Sequence, residues 1–160
     1  MKKVLVAYFS EGGNTQKMAE YIAEGIRFSG HQAVSRDISE IKGAADLKEY
    51  DGFIFGSPTY LQDLPQPMKQ FFSAIRNLNP SGRLVGSFSS YTHDVGYTAG
   101  GQAAEIILDT LQNQFKMKPF ELGPLKLKED LLATADGMKA CQDYGKVFGQ
   151  AGLASPWVKR

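Results

Sequence analysis

Apolar and polar positions alternate along the chain between two periodicities. Val4 to Phe9 is a continuous apolar run, the pattern of a strand buried on both faces of a parallel sheet. The polar turn Ser10-Glu11-Gly12-Gly13-Asn14-Thr15 follows it. Met18, Ala19, Ile22, Ala23 and Ile26 then recur at helical spacing, and Gly30 closes the segment. A weaker edge strand is expected around Val34, and a short helix between Ala44 and Tyr50. Gly52 to Gly56 is a second buried run. Pro67 stands where a first helical turn tolerates proline, ahead of Met68, Phe71, Phe72 and Ile75 on one face. Leu84 to Ser90 reads as a strand, and Ala104, Ile107, Leu108, Leu111 and Phe115 as a helical stripe. Strand signal returns between Met117 and Leu127, interrupted by Pro119 and Pro124. A last helix is expected from about Asp136, with Ala140, Cys141, Tyr144, Val147, Phe148 and Ala151 turned inward.

Strands alternating with helices in this way predict a doubly wound α/β fold with roughly five parallel strands. No repeat, low-complexity tract or linker divides the chain, so residues 1–160 are expected to form one domain. In such sheets a ligand sits at the carboxyl ends of the strands, near the reversal of strand order. That places function in the loops after the Val4, Phe53 and Leu84 runs.

Composition narrows the chemistry. Eighteen Lys and Arg against seventeen Asp and Glu give a formal charge of +1, which argues against a nucleic-acid binder built on a basic field. The single cysteine, Cys141, forms no internal disulfide and supplies no cysteine-rich metal site. No apolar run approaches the roughly 20 residues that span a bilayer, and the amino terminus lacks a cleavage pattern. A cytoplasmic protein without membrane partners is expected.

In the first loop, Gly12 and Gly13 leave backbone N–H groups bare to a ligand, and Asn14 and Thr15 add side-chain donors. Thr15 is the expected N-cap. Convergent N–H groups at the positive end of a helix dipole make an anion site. No lysine follows the glycines, so this is not a triphosphate loop, and the third glycine of a dinucleotide fingerprint is missing. Neutral donors of this kind suit one terminal phosphate monoester. A turn with no ligand is the plainer reading of the same residues. The second loop, Gly56 to Pro67, is stiffened by Pro58, Pro65 and Pro67 and offers Tyr60 and Leu61 as a wall for a planar ring. Ordinary loop rigidity would explain the prolines equally. The third loop, Ser89 to Gln102, is long and carries Tyr91, His93, Tyr97 and several glycines, which fits a ligand wall. His93 beside Asp94 reads as surface decoration rather than an acid–base pair. A phosphorelay receiver would need an Asp after Phe55, where Gly56-Ser57 stands, and a low-molecular-weight phosphatase would need Cys-x5-Arg in the first loop.

Ser10 to Thr15 resembles the phosphate loop of the flavodoxin family. Gly56-Ser57-Pro58-Thr59-Tyr60, with Pro65, Pro67, Met68 and Phe71, is closer in pattern to the flavodoxin module of flavodiiron proteins, as is Ala140 to Gly145. Gly100-Gly101-Gln102 resembles the corresponding loop of flavodoxin-like quinone reductases. The resemblance covers the whole chain and implies a short-chain, three-layer flavodoxin-like sandwich with a five-stranded parallel sheet, binding FMN. It implies that Ser10, Glu11, Gly12, Gly13, Asn14 and Thr15 hold the phosphate. Ser57, Pro58, Thr59 and Tyr60 would line the ribityl chain and one side of the ring. Ser89, Ser90, Tyr91, Thr92 and Tyr97 would wall the other side. The function implied is an electron carrier between redox partner proteins, a reductase and an acceptor. The alternative is an NAD(P)H-dependent quinone or nitro reductase. Two departures stand out. Gly12 replaces the usual hydroxyl residue, and no glycine lies between Ser57 and Gln66, which predicts a less stable one-electron-reduced flavin. Near-neutral charge predicts a milder potential than an acidic flavodoxin's.

Overall fold

The structure is a computed structural model that describes residues 1–59, 63–76, 80–92 and 102–153. Its centre is a parallel sheet of β1 (Lys3–Tyr8), β2 (Gln32–Asp37), β3 (Gly52–Pro58), β4 (Leu84–Tyr91), β5 (Lys118–Pro119) and β6 (Leu125–Lys128). The order is β2-β1-β3-β4-β5, and β6 also pairs with β4. Helices α1 (Asn14–Phe28), α2 (Gln66–Ala74), α3 (Gln102–Asn113), α4 (Glu129–Leu132) and α5 (Ala135–Val147) alternate with the strands, and shorter helical turns lie at Ile38–Glu40, Ala44–Leu47 and Phe148–Gly152. Val4, Val6 and Tyr8 point to the face covered by α1 and α5, and Leu5 and Ala7 to the face covered by α2 and α3. This alternation makes β1 apolar at every position from Val4 to Tyr8, because both of its faces are buried there.

The expected stripes of α1, α2 and α3 pack inward. Met18, Ala19, Ile22, Ala23 and Ile26 of α1 share one core with Ile54, Phe88, Cys141, Tyr144 and Phe148. Met68, Phe71 and Phe72 of α2 join Phe53, Phe55, Ile107 and Leu111 in the other. There the Phe55 ring meets Phe71 and Phe72 edge-on at centroid distances of 5.9 and 5.8 Å. Burial holds the Cys141 thiol up to about 12, so it stays protonated and serves as packing.

The α1–α5 contact depends on absent side chains. A Cβ on Gly145 would lie 2.0 Å from the Ile22 carbonyl oxygen, and one on Gly25 would lie 1.9 Å from that of Gln142. The two helices therefore touch backbone to backbone. Ala151, expected inside, is exposed. After Val147 the last turn widens, with Leu153 N–H donating to the Phe148 carbonyl (3.0 Å), five residues back. That shift of phase turns Gly149 and Gly152 inward instead.

The segment expected to hold a short helix forms only a single tight turn, Ala44–Leu47. The fifth strand is also divided. β5 pairs with Leu84 and Val85, and β6 with Phe88 to Tyr91, so β4 has no strand neighbour on that side at Gly86 and Ser87. The intervening turn at Gly123 has φ +73°, which glycine adopts without strain. Tyr144 fills the gap from below. Its hydroxyl accepts from Ser87 N–H (3.1 Å) and donates to the Gly123 carbonyl (2.7 Å).

Two outcomes follow for urea unfolding. Tyr144→Phe strands a buried N–H and a carbonyl, and is expected to destabilise by about 1–3 kcal/mol. Gly145→Ala should also destabilise, by about 1–3 kcal/mol of overpacking. Helix propensity alone would stabilise that variant by about 1 kcal/mol, so the sign of the change reports the close approach.

Candidate functional site

The carboxyl ends of β1, β3 and β4 lie side by side, because Tyr8 pairs with Gly56, and Ser57 and Pro58 pair with Ser89 and Ser90. Strand structure covers Ser89 and Ser90, as the Leu84 to Ser90 run predicts, and reaches further at three positions: Ser57 and Pro58 belong to β3 and Tyr91 to β4, so these are strand-end rather than loop residues. Their neighbours across the sheet supply the hydrogen bonds that a loop would lack.

Four hydroxyl residues at this edge are almost wholly buried: Ser57 and Ser89 at 0%, Ser90 at 1% and Thr15 at 2% exposure. Each finds a partner inside the protein, as burial requires. The Thr15 hydroxyl pairs with that of Ser90 at 3.0 Å, joining the start of α1 to the end of β4. Ala103 N–H donates to Thr59 Oγ1 (3.3 Å), Thr59 Oγ1 lies 2.8 Å from Ser89 Oγ, and Ser89 Oγ donates to the Ser90 carbonyl (3.3 Å). With both ends of this chain fixed, Thr59 is the donor to Ser89. Thr59 N–H also donates to the Ser90 carbonyl at 3.2 Å. The second loop, the end of β4 and the start of α3 are thereby one hydrogen-bonded unit. Ser57 turns its hydroxyl to the Pro58 carbonyl (2.8 Å).

The first loop differs from the expectation in one respect. Thr15 does not cap α1; Gly13 occupies that position with φ +88°, and its side chain could offer no cap. Left-handed backbone is what glycine permits there, and Thr15 falls inside the first turn, where its hydroxyl is drawn to Ser90. Gly13 N–H donates to Ser10 Oγ (3.0 Å), which folds the loop back on itself. No acidic residue lies in the first turn. A Cβ on Gly12 or Gly13 would meet nothing within 4 Å. The positive end of α1 thus opens onto free space: Gly13 N–H is taken by Ser10, but the N-cap residue itself supplies no side-chain cap to the amides of the first turn. An anionic phosphate fits this cradle. Tyr8, just before it, has its phenol pKa raised by burial and by the carboxylates of Asp37, Glu40 and Glu20, so no phenolate competes.

A second fit lies at the start of α3. Gln102 Oε1 is buried and accepts no hydrogen bond among the described residues. It sits one residue from the Ala103 N–H that binds Thr59. An acceptor so placed calls for a donor from a ligand. The sequence gives no sign of this burial, and the residue enters there only through its Gly-Gly-Gln neighbourhood. Toward the end of the second loop, the Asp63 carboxylate accepts from Lys69 Nζ and Leu64 N–H, both at 2.7 Å. Those bonds, the lysine's first, hold its pKa below the usual value and tie the loop's end to α2.

Of the expected site residues, Ser10, Glu11, Gly12, Gly13, Asn14 and Thr15 meet Ser57, Pro58, Thr59, Ser89, Ser90, Tyr91 and Thr92 along this one edge. Tyr60 and Tyr97 lie outside the described residues, as do His93, Asp94 and Trp157. Among the described residues no helix is long and apolar enough to cross a membrane, and no cluster of three or more His, Cys, Asp or Glu could hold a metal ion.

Comparison with known proteins agrees with this architecture. The family model described as Flavodoxin domain matches residues 5–126. A flavodoxin of Clostridium saccharobutylicum is 31% identical over 116 residues, covering 72% of this chain and 69% of that protein. An NAD(P)H dehydrogenase (quinone) of Acidithiobacillus ferrooxidans is 34% identical over 122 residues, covering 64% of this chain and 61% of that protein. The crystal structure of oxidised flavodoxin 1 from Bacillus cereus superposes with a TM-score of 0.78 at 29% identity, covering 93% of this chain and 98% of that one. With the family match spanning most of its length, this chain belongs to the flavodoxin family.

Proposed function

We propose that this protein binds FMN at the carboxyl edge of its sheet and carries electrons between redox partner proteins. The observation that carries the reading is the open, uncapped start of α1 behind Gly12 and Gly13. Backbone N–H groups of Gly12 and Asn14 would hold the phosphate, with Ser10, Glu11, Gly13 and Thr15 shaping the loop. The Thr15–Ser90 pair keeps that loop in register with β4. Pro58 and Thr59, braced by Ser57, Ser89 and Ala103, would flank the ribityl chain. Tyr60, Tyr91, Thr92 and Tyr97 would close on the ring. When bound, the flavin supplies the taking up and releasing of electrons, and the protein sets the energies through contacts and local charge. With a net charge of +1, the chain lacks the acidic field that would disfavour an anionic reduced flavin, so a mild potential is expected. We read residues 1–160 as a single domain working in the cytoplasm.

A second reading, an NAD(P)H-dependent quinone or nitro reductase, is favoured by the likeness to the Acidithiobacillus quinone dehydrogenase. It requires nicotinamide to reach the flavin directly.

Anaerobic mixing of the FMN-loaded protein with NADH or NADPH separates the two. The carrier reading expects the yellow colour to persist until a reductase protein is added, whereas bleaching within the turnover range of about 1–1000 per second supports the reductase. Gly12→Asp tests the cradle itself. Open space around Gly12 accommodates the side chain, so urea stability should be unchanged. Fluorescence titration should show FMN affinity lowered by about tenfold or more, from carboxylate–phosphate repulsion at short range.

A further inference from the structure

We propose that the cavity beneath the outer strand β2 binds a phosphorylated small molecule of nucleotide size, held between Arg36 and Lys48. The site is separate from the phosphate cradle of α1, and the inference does not rest on the FMN reading.

The cavity measures about 680 Å³, within the range of about 300–1,000 Å³ typical of small-molecule sites. It exists because the chain between β2 and β3 forms only the single turns Ile38–Glu40 and Ala44–Leu47, so no long helix covers that part of the sheet. Arg36 pairs with Ala7, which belongs to the core beneath α2 and α3. Paired residues share a face, so the Arg36 side chain rises from the side of the sheet opposite α1. Lys48 reaches the same cavity from the segment that leads into β3.

Charge decides what the cavity accepts. Arg36, Lys42 and Lys48 line it together with Glu40, Asp46 and Glu49, so formal charge cancels. The hydrogen-bonding capacity does not. Glu40 Oε1 accepts from Asp37 N–H (3.2 Å), Asp46 Oδ2 from Lys42 N–H (2.7 Å), and Glu49 pairs with Lys3 at 3.0 Å. Lys42 Nζ donates to the Ser39 carbonyl at 3.2 Å. Arg36 and Lys48 alone of the six have no partner among the described residues. Two cations from different elements, one of them a guanidinium fork, suit the several oxygens of a phosphate group. Ile41 and Ala45 add an apolar wall for the organic part of the ligand.

The outer edge of β2 argues against an added peptide strand as the occupant. Arg27 takes the Ala33 carbonyl through Nε (3.2 Å) and Nη2 (2.9 Å), and Glu40 takes the Asp37 N–H, so pairing there would have to displace both.

The test is calorimetric titration of the full-length protein with ADP at low ionic strength, with and without saturating FMN, and with adenosine as the uncharged comparison. ADP is expected to fill a single saturable site with equal affinity in both flavin states, and adenosine to bind at least tenfold more weakly. Arg36→Gln and Lys48→Gln, both exposed and expected to leave urea stability unchanged, should each weaken ADP about tenfold. Lys146→Gln, an exposed change on α5, should leave its affinity unchanged. Absence of saturable ADP binding overturns the inference, as does an unchanged affinity in both cavity variants. Equal affinity for adenosine, or an equal loss in Lys146→Gln, overturns the charge argument and the site with it. Competition by FMN would assign the ADP to the α1 cradle and overturn it too. Failure of the protein to bind FMN overturns only the functional reading, since ADP is also titrated into the flavin-free protein.

Discussion

Parallel strands end together, and at that common edge their polar groups have no further strand to pair with. The hydroxyls of Thr15, Thr59, Ser89 and Ser90 meet this constraint among themselves. Buried hydroxyls left unpaired would each cost about 1–3 kcal/mol, so the network determines how the edge is built. It fastens the start of α1 to β4, and the second loop to both β4 and α3. With those hydroxyls turned inward, the surface offered to a ligand is mainly backbone amide and loop side chain. The cradle behind Gly12 and Gly13 is open because these neighbours are already satisfied by one another.

The rest of the fold keeps that edge in place. Backbone contact through Gly25 and Gly145 presses α1 against α5, which fixes the direction in which the helix dipole of α1 points. On the other side of the sheet, the aromatic cluster of Phe53, Phe55, Phe71 and Phe72 locks α2 beneath the second loop. Asp63 and Lys69 tie that loop's end to the same helix, although as an exposed pair they contribute little stability. Tyr144 restores to β4, at Ser87, the hydrogen bond that the divided fifth strand withholds.

Much of this was legible in the residues. The continuous apolar runs at Val4 and Phe53 specify strands buried on both faces, and the stripe from Met18 to Ile26 specifies a helix packed on one side. The glycine pair and the proline-rich segment mark the loops where the site lies. What could not be read depends on partners distant in sequence. Thr15 looks like a helix cap until Ser90, 75 residues away, takes its hydroxyl. Pro119 and Pro124 signal an interruption, but not that Tyr144 would bridge it. Ala151 follows the helical stripe in sequence and leaves it in space, because the widened last turn changes the phase. The burial of Gln102 Oε1 has no local signature.

The central claim is that backbone amides at the front of α1 grip a single phosphate, and comparison of FMN with riboflavin isolates that contact. Both share the ring and ribityl chain, so titrating the flavin-free protein with each, by quenching of flavin fluorescence, reads the phosphate alone. The account expects FMN to bind at least a hundredfold more tightly, corresponding to about 2.7 kcal/mol, in the range of two charge-assisted hydrogen bonds. Equal affinities for the two flavins, or no binding of either, would contradict it.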